Sequence, residues 1–190
     1  MGDLSNVIQD MATAAESYLS GLSSDLRDKT MLPFDDVERR RWYYTPTPRA
    51  GLPLLHMSPR QQQTVLQLMS TGLSEPGYNH ASIVLGEEYI VDHHSHFPDR
   101  TYGDLPGTRV RDPGNYCVAV YGTPGDENGW GWRIGGHHLS LVYTLKGDSI
   151  SPTPAFFGAE PSRVPSSPAS TQIAAPVPSS RRSRRRISHR

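Results

Sequence analysis

Near residue 115 the spacing of apolar side chains changes period, and this limits the folds open to the chain. Before it, apolar residues recur every three or four positions, the signature of one helix face. After it they alternate, the signature of half-buried strands. Leu4, Val7, Ile8, Met11, Ala15, Tyr18, Leu19, Leu22 and Leu26 predict a helix over 4–26, with Asp3 as its cap. The charged stretch 27–41 reads as a connection, and Pro46 and Pro48 hold 45–55 extended. Ser58 and Pro59 open a second helix whose buried face is Val65, Leu66, Met69 and Leu73. A third is expected over 75–91, with Tyr78, Ala81, Val84, Leu85 and Tyr89 inward. Asp92 to Pro113, polar and rich in His, Pro and Gly, reads as a long loop.

The alternating part begins with a strand over Tyr116–Tyr121. The turn-rich GTPGDENG follows, then Trp130–Ile134 and His138–Thr144, and Ile150 opens a further strand. The expected fold is therefore α+β: N-terminal helices followed by an antiparallel β-meander. Residues 1–160 form one domain on this reading.

Composition divides the chain where the period cannot. Residues 1–150 carry 12 Lys/Arg against 18 Asp/Glu, a net −6, while 151–190 carry seven Arg and one Glu, a net +6. From about Pro161 no apolar period remains, so 161–190 is expected to be a disordered Ser/Pro/Arg-rich tail. Its Arg181–Arg186 run reads as a solvated charge run, because no aromatic side chain interleaves it. The acidic body further argues against nucleic acid as a partner. No run approaches the roughly 18 apolar residues of a membrane span. A secretory pattern is also missing at the N-terminus, so the expected location is cytoplasmic, with no membrane partner. The single Cys117 excludes a disulfide framework and any multi-cysteine zinc site. Placed inside an apolar strand, it reads as an inert buried thiol.

Chemistry concentrates in the histidines. Six of the eight lie between His80 and His138, in two groups: Asp92-His93-His94-Ser95-His96 and Gly135-Gly136-His137-His138. Imidazole is the commonest metal ligand and suits proton transfer near neutral pH. Neighbours on a regular strand face opposite ways, so His137 and His138 meet one ion only where Gly135-Gly136 break the strand. Glu87 and Glu88 near the end of the third helix are candidate further ligands. His80 and Glu87 lie about 10 Å apart along that helix, too far to share an ion. Arg49, Arg111 and Arg133 are candidate anion holders, each with a structural ion pair as the plainer reading. Trp130 and Trp132 share a strand face and either floor a pocket or pack in the core.

Several motifs resemble one family. They are Trp42-Tyr43-Tyr44-Thr45-Pro46 with Arg49-Ala50-Gly51-Leu52, Leu73-Ser74 with Gly77-Tyr78, and Arg111-Asp112-Pro113 with Tyr116. The run from Trp130 to Leu141 and Pro154–Ala159 continue the series. Together, over roughly 40–165, they resemble the bacterial-type family called domain of unknown function 3500. That family carries no established reaction. The resemblance implies a polar site from Arg49, Glu87, Arg133, His137 and His138. Family members look longer than this chain, so the resemblance also raises the expectation of a truncated or frame-shifted product after about residue 160. Val142 stands where the family pattern tends to have Asn.

The expected function is a metal-dependent enzyme, hydrolytic or oxidative, acting on a small molecule. Glu87, His137 and His138 are the expected ligands of a divalent zinc, iron or copper ion. Arg49, Arg133 and Trp132 are the expected substrate contacts. The alternatives are a non-catalytic interaction module and an inactive fragment. No motif specifies an oligomeric state.

Overall fold

The computed structural model describes residues 4–45, 47–95 and 111–158. Asp3, Pro46, His96 and the expected tail over 161–190 lie outside them, as does most of the expected loop.

The first apolar stripe folds as two helices rather than one. α1 spans Leu4–Ser20 and α2 spans Ser24–Thr30. The break falls at Gly21, where the N–H groups of Gly21 and Leu22 turn back to the carbonyls of Tyr18 and Leu19. Arg27 donates to the Leu19 carbonyl at 2.7 Å, supplying a partner that a continuing helix would have provided. The charged stretch after it is therefore not simply a connection. Part of it is α2, and Met31–Leu32 form β1.

β2 is the short Leu52–Pro53. α3, Pro59–Gly72, starts at a capping box: Ser58 accepts from the Gln61 N–H while the Gln61 side chain accepts from the Ser58 N–H. Its inward residues are Val65, Leu68 and Met69, packed against Met11, Ala15 and Tyr18 of α1; Leu66 faces outward. α4 runs Glu75–Ser95, four residues further than its apolar pattern predicts, so the backbone of Asp92–Ser95 is helical rather than loop. No helix among the described residues is long and apolar enough to cross a membrane.

The sheet is built from β3 (Cys117–Tyr121), β4 (Trp130–Gly135), β5 (Leu139–Lys146), β6 (Ser149–Ser151) and β7 (Ala155–Phe157), with β1 and β2. β3, β4 and β5 form the expected antiparallel meander. Its outer edges are each shared by two short strands. β1 pairs parallel with the end of β3 and β2 antiparallel with its start; β6 and β7 take the two ends of β5. The fold is α+β, with a mixed sheet in place of a pure meander.

Alternation then sorts the side chains. Val118, Val120, Trp130, Trp132, Ile134, Leu139, Leu141, Tyr143 and Leu145 join the helices in one core. Trp132 is sealed there, stacked on Tyr143 with centroids 4.4 Å apart, and the Tyr143 hydroxyl donates to the Gly72 carbonyl at the end of α3. The opposite face carries Cys117, Ala119, Tyr121, Arg133 and Val142, all buried. The Glu38, Arg41 and Ala50 carbonyls lie against it, accepting from Arg133. Gly51 makes that approach possible: at φ +111°, an added Cβ would lie 2.5 Å from the Val118 carbonyl oxygen. Cys117 is buried as expected, its pKa raised by burial to about 11.

One buried polar relay ties α1 to the sheet through the end of α2. The hydroxyls of Tyr18 and Thr30 lie 3.0 Å apart, and Thr30 donates to the Val118 carbonyl at 2.8 Å. Thr30→Val keeps the volume but strands the Tyr18 hydroxyl. We expect it to lower unfolding stability by about 1–3 kcal/mol, measured by urea denaturation.

Candidate metal centre

Two strands and a helix bring the imidazoles and a carboxylate together. β4 ends at Gly135 and β5 begins at Leu139. The Gly136 N–H donates to the Leu139 carbonyl at 2.7 Å, so His137 and His138 are the two residues at the tip of the hairpin. Alternation does not act at a bend. Both imidazoles turn to the same place, with ring centroids 3.9 Å apart. This meets the condition on which the sequence allowed the pair to share an ion.

The carboxylate they meet is Glu88, not Glu87. On α4 the residues Ala81, Val84 and Glu88 are buried at the i, i+3, i+7 spacing of a single face, and Glu88 has no exposed surface. The expectation that Tyr89 points inward is corrected: Tyr89 is 55% exposed. Glu87 lies one residue round the helix, partly exposed and outside the cluster. Burial raises its carboxyl above the ordinary range, opposed by the charge of His138.

Glu88 Oε2 lies 3.3 Å from Nε2 of His137, and Oε1 lies 3.4 Å from Nδ1 of His138. Tyr116, immediately before β3, donates its hydroxyl to Glu88 Oε1 at 2.6 Å and accepts from the His138 backbone N–H at 3.3 Å. Gly136 lets that ring in, since a Cβ there would lie 2.4 Å from it. Glu88 Oε2 is buried and accepts no hydrogen bond from the described residues. One ligand atom from each of Glu88, His137 and His138 fits within 4.8 Å, the convergence a metal ion requires.

Burial holds the His137 imidazole down at about 4. Glu88 opposes that shift, while His138, Arg111 and Arg49 add to it. Burial, with the charge of Glu88 and its hydrogen bond, holds the Tyr116 hydroxyl far above its ordinary value. Arg111 Nη1 lies 3.1 Å from His137 Nε2 and 3.4 Å from His138 Nε2.

The other expected contacts have different surroundings. Arg133 is 2% exposed and donates to the carbonyls of Glu38 at 2.6 Å and Ala50 at 2.7 Å, so its fork clamps the segment that carries them. Trp132 is core, on the face opposite Arg133. Both are buried among the described residues. Arg49 donates to the carbonyls of Thr47 and Thr45, shaping the bend in that segment, and its charge reaches His137 and Tyr116. Of the DHHSH group, only the helical backbone to Ser95 is described. The sequence reading singled out neither Tyr116 nor the choice of Glu88. The spacing from Ala81 and Val84 was the available signal for the second.

The model of the family described as protein of unknown function (DUF3500) matches residues 5–180, and the chain belongs to that family. The match takes in α1 to α3 and reaches beyond the 40–165 of the motif resemblance. It also includes part of the Ser/Pro-rich segment. No curated protein and no solved structure matches the chain.

Two outcomes are expected. Tyr116→Phe removes the donor to a buried carboxylate and lowers stability by about 2 kcal/mol in urea unfolding. His137, with an ordinary imidazole pKa of 6.5 in the unfolded chain and about 4 in the folded one, takes its proton first in the unfolded state. Stability therefore falls as pH drops from 6.5 towards 4, by about 3 kcal/mol. His137→Gln should flatten that slope when unfolding is measured at pH 7 and pH 5.

Proposed function

We propose that this DUF3500 chain holds a divalent metal ion on Glu88, His137 and His138 and acts as a metal-dependent enzyme on a small molecule. The observation that carries this is Glu88 Oε2: a fully buried carboxylate oxygen with no hydrogen bond from the described residues, facing the His137 imidazole, while Oε1 faces that of His138. Such an atom costs about 1–3 kcal/mol unless something positive completes it. Two imidazoles and one carboxylate form a donor set for zinc, iron or copper, and leave coordination positions open. A metal ion bound there supplies Lewis acidity for hydrolysis or, as iron or copper, redox chemistry for oxidation.

The chain's own residues set the conditions. His137 stays neutral through the physiological range, so its lone pair is available without proton loss. Tyr116 fixes the carboxylate oxygen beside His138 and leaves the other facing His137. Gly136 and the two-residue bend fix the spacing of the His pair. Arg49 brings positive charge near, favouring an anionic small molecule over a neutral one.

The test is metal content and affinity. Dialysed protein is titrated with zinc, iron(II) and copper(II), and bound metal is measured by mass spectrometry. We expect one ion per chain, about 100-fold weaker binding in Glu88→Gln and in His137→Ala, and near wild-type binding in Glu87→Gln. Failure of the folded wild-type chain to bind any of the three ions would overturn the reading.

A further inference from the structure

The two oxygens of Glu88 have unequal surroundings, which binding an ion does not by itself require. Oε1 accepts the Tyr116 hydroxyl at 2.6 Å, the length of a strong bond from a hydroxyl to a charged oxygen. Oε2 is buried as well, accepts no hydrogen bond from the described residues and lies 3.3 Å from His137 Nε2. The fold holds Tyr116 in this pose. Its backbone N–H donates to the Pro113 carbonyl at 3.2 Å, and its carbonyl accepts from the Leu54 N–H at 2.9 Å. Its ring lies over Gly136, in space that any Cβ there would overlap. A phenol has a single proton to give. Because the hydroxyl accepts from the His138 backbone N–H, that proton is directed at Glu88.

We propose that Tyr116 is a positioning residue that makes Glu88 a one-oxygen ligand: by holding Oε1 it presents Oε2 alone to the ion, and so keeps open a coordination position that a chelating carboxylate would fill. The proposal rests on the metal reading of Glu88, His137 and His138. A carboxylate binds an ion through one oxygen or through both. With one oxygen, the three side chains supply three ligand atoms, and a four-coordinate ion has a position left for water or a small anion. With both, the same side chains supply four atoms and that position closes. Three protein ligands are the pattern of catalytic zinc sites, four that of structural ones. Tyr116 acts here through Glu88, and the placement of one hydroxyl decides between an open and a closed site.

Infrared difference spectra, metal-loaded minus metal-free, are recorded for the full-length chain, Tyr116→Phe and Glu88→Gln. Zinc is used, or iron(II) or copper(II) where only those bind. Bands missing from Glu88→Gln belong to the Glu88 carboxylate. Azide is then titrated into each loaded protein and followed by its own stretching band. In wild type we expect the widely separated carboxylate stretches of one-oxygen binding. In Tyr116→Phe they should draw together, as in two-oxygen binding, and azide should bind at least about tenfold more weakly. A tyrosine that only packs would move neither readout. Closely spaced stretches in wild type overturn the proposal whatever the variants do. Wild-type spacing or wild-type azide affinity in folded Tyr116→Phe overturns it too. If Tyr116→Phe is not folded, Gly136→Ala decides by the same two readouts, since it keeps the hydroxyl but pushes the ring aside. Failure of wild type to bind zinc, iron or copper would instead bring down the metal reading beneath it.

Discussion

A carboxylate with no contact to solvent has to be completed by its surroundings, and Glu88 imposes that requirement on three parts of the chain. Tyr116 supplies a hydroxyl from the start of β3, the bend between β4 and β5 supplies two imidazoles, and α4 presents the carboxylate. None of these contacts is local in sequence. Each forms only when the helix, the first central strand and the hairpin end have met. The polar cluster therefore depends on the same docking that buries Ala81 and Val84 against the core.

The molecule handles its buried guanidinium in a contrasting way. Both Nη atoms of Arg133 donate to backbone carbonyls on the sheet face opposite the helices, and its charge holds an irregular segment in place. Arg111 instead faces side-chain nitrogens whose lone pairs have other uses. The two arginines show why residue type alone does not identify a binding group. The surroundings decide: carbonyls make Arg133 a fastener, whereas Arg111 lies against two imidazoles of the polar cluster.

Much of the scaffold could be read from the amino-acid order, because period is a local property. The strands, the second helix with its Ser58-Pro59 start and the change from helical to alternating spacing all follow from neighbours within one element. What failed were features set by tertiary context. The stripe over 4–26 ignores the break at Gly21, and β1 needs the end of β3 beside it. The His pair was legible because the adjacent glycines signalled broken alternation. Glu88 was less so, since Glu87 and Glu88 differ only in which way the helix has turned, and a turn of one position is what burial against the sheet settles. Trp132 was open between pocket and core, and its stacking partner Tyr143 lies on a different strand.

The hairpin tip ties the site to chain length rather than to chemistry alone. With Gly136 paired to Leu139, two residues are all that separate the strands. Adding or deleting one residue there would send the imidazoles to opposite sides or shift β5 by one step against β4, exchanging its core residues for its outer ones. Drift in this segment is thus confined to swaps of one side chain for another. A duplication or slippage error would remove the sheet's core and the cluster in the same event.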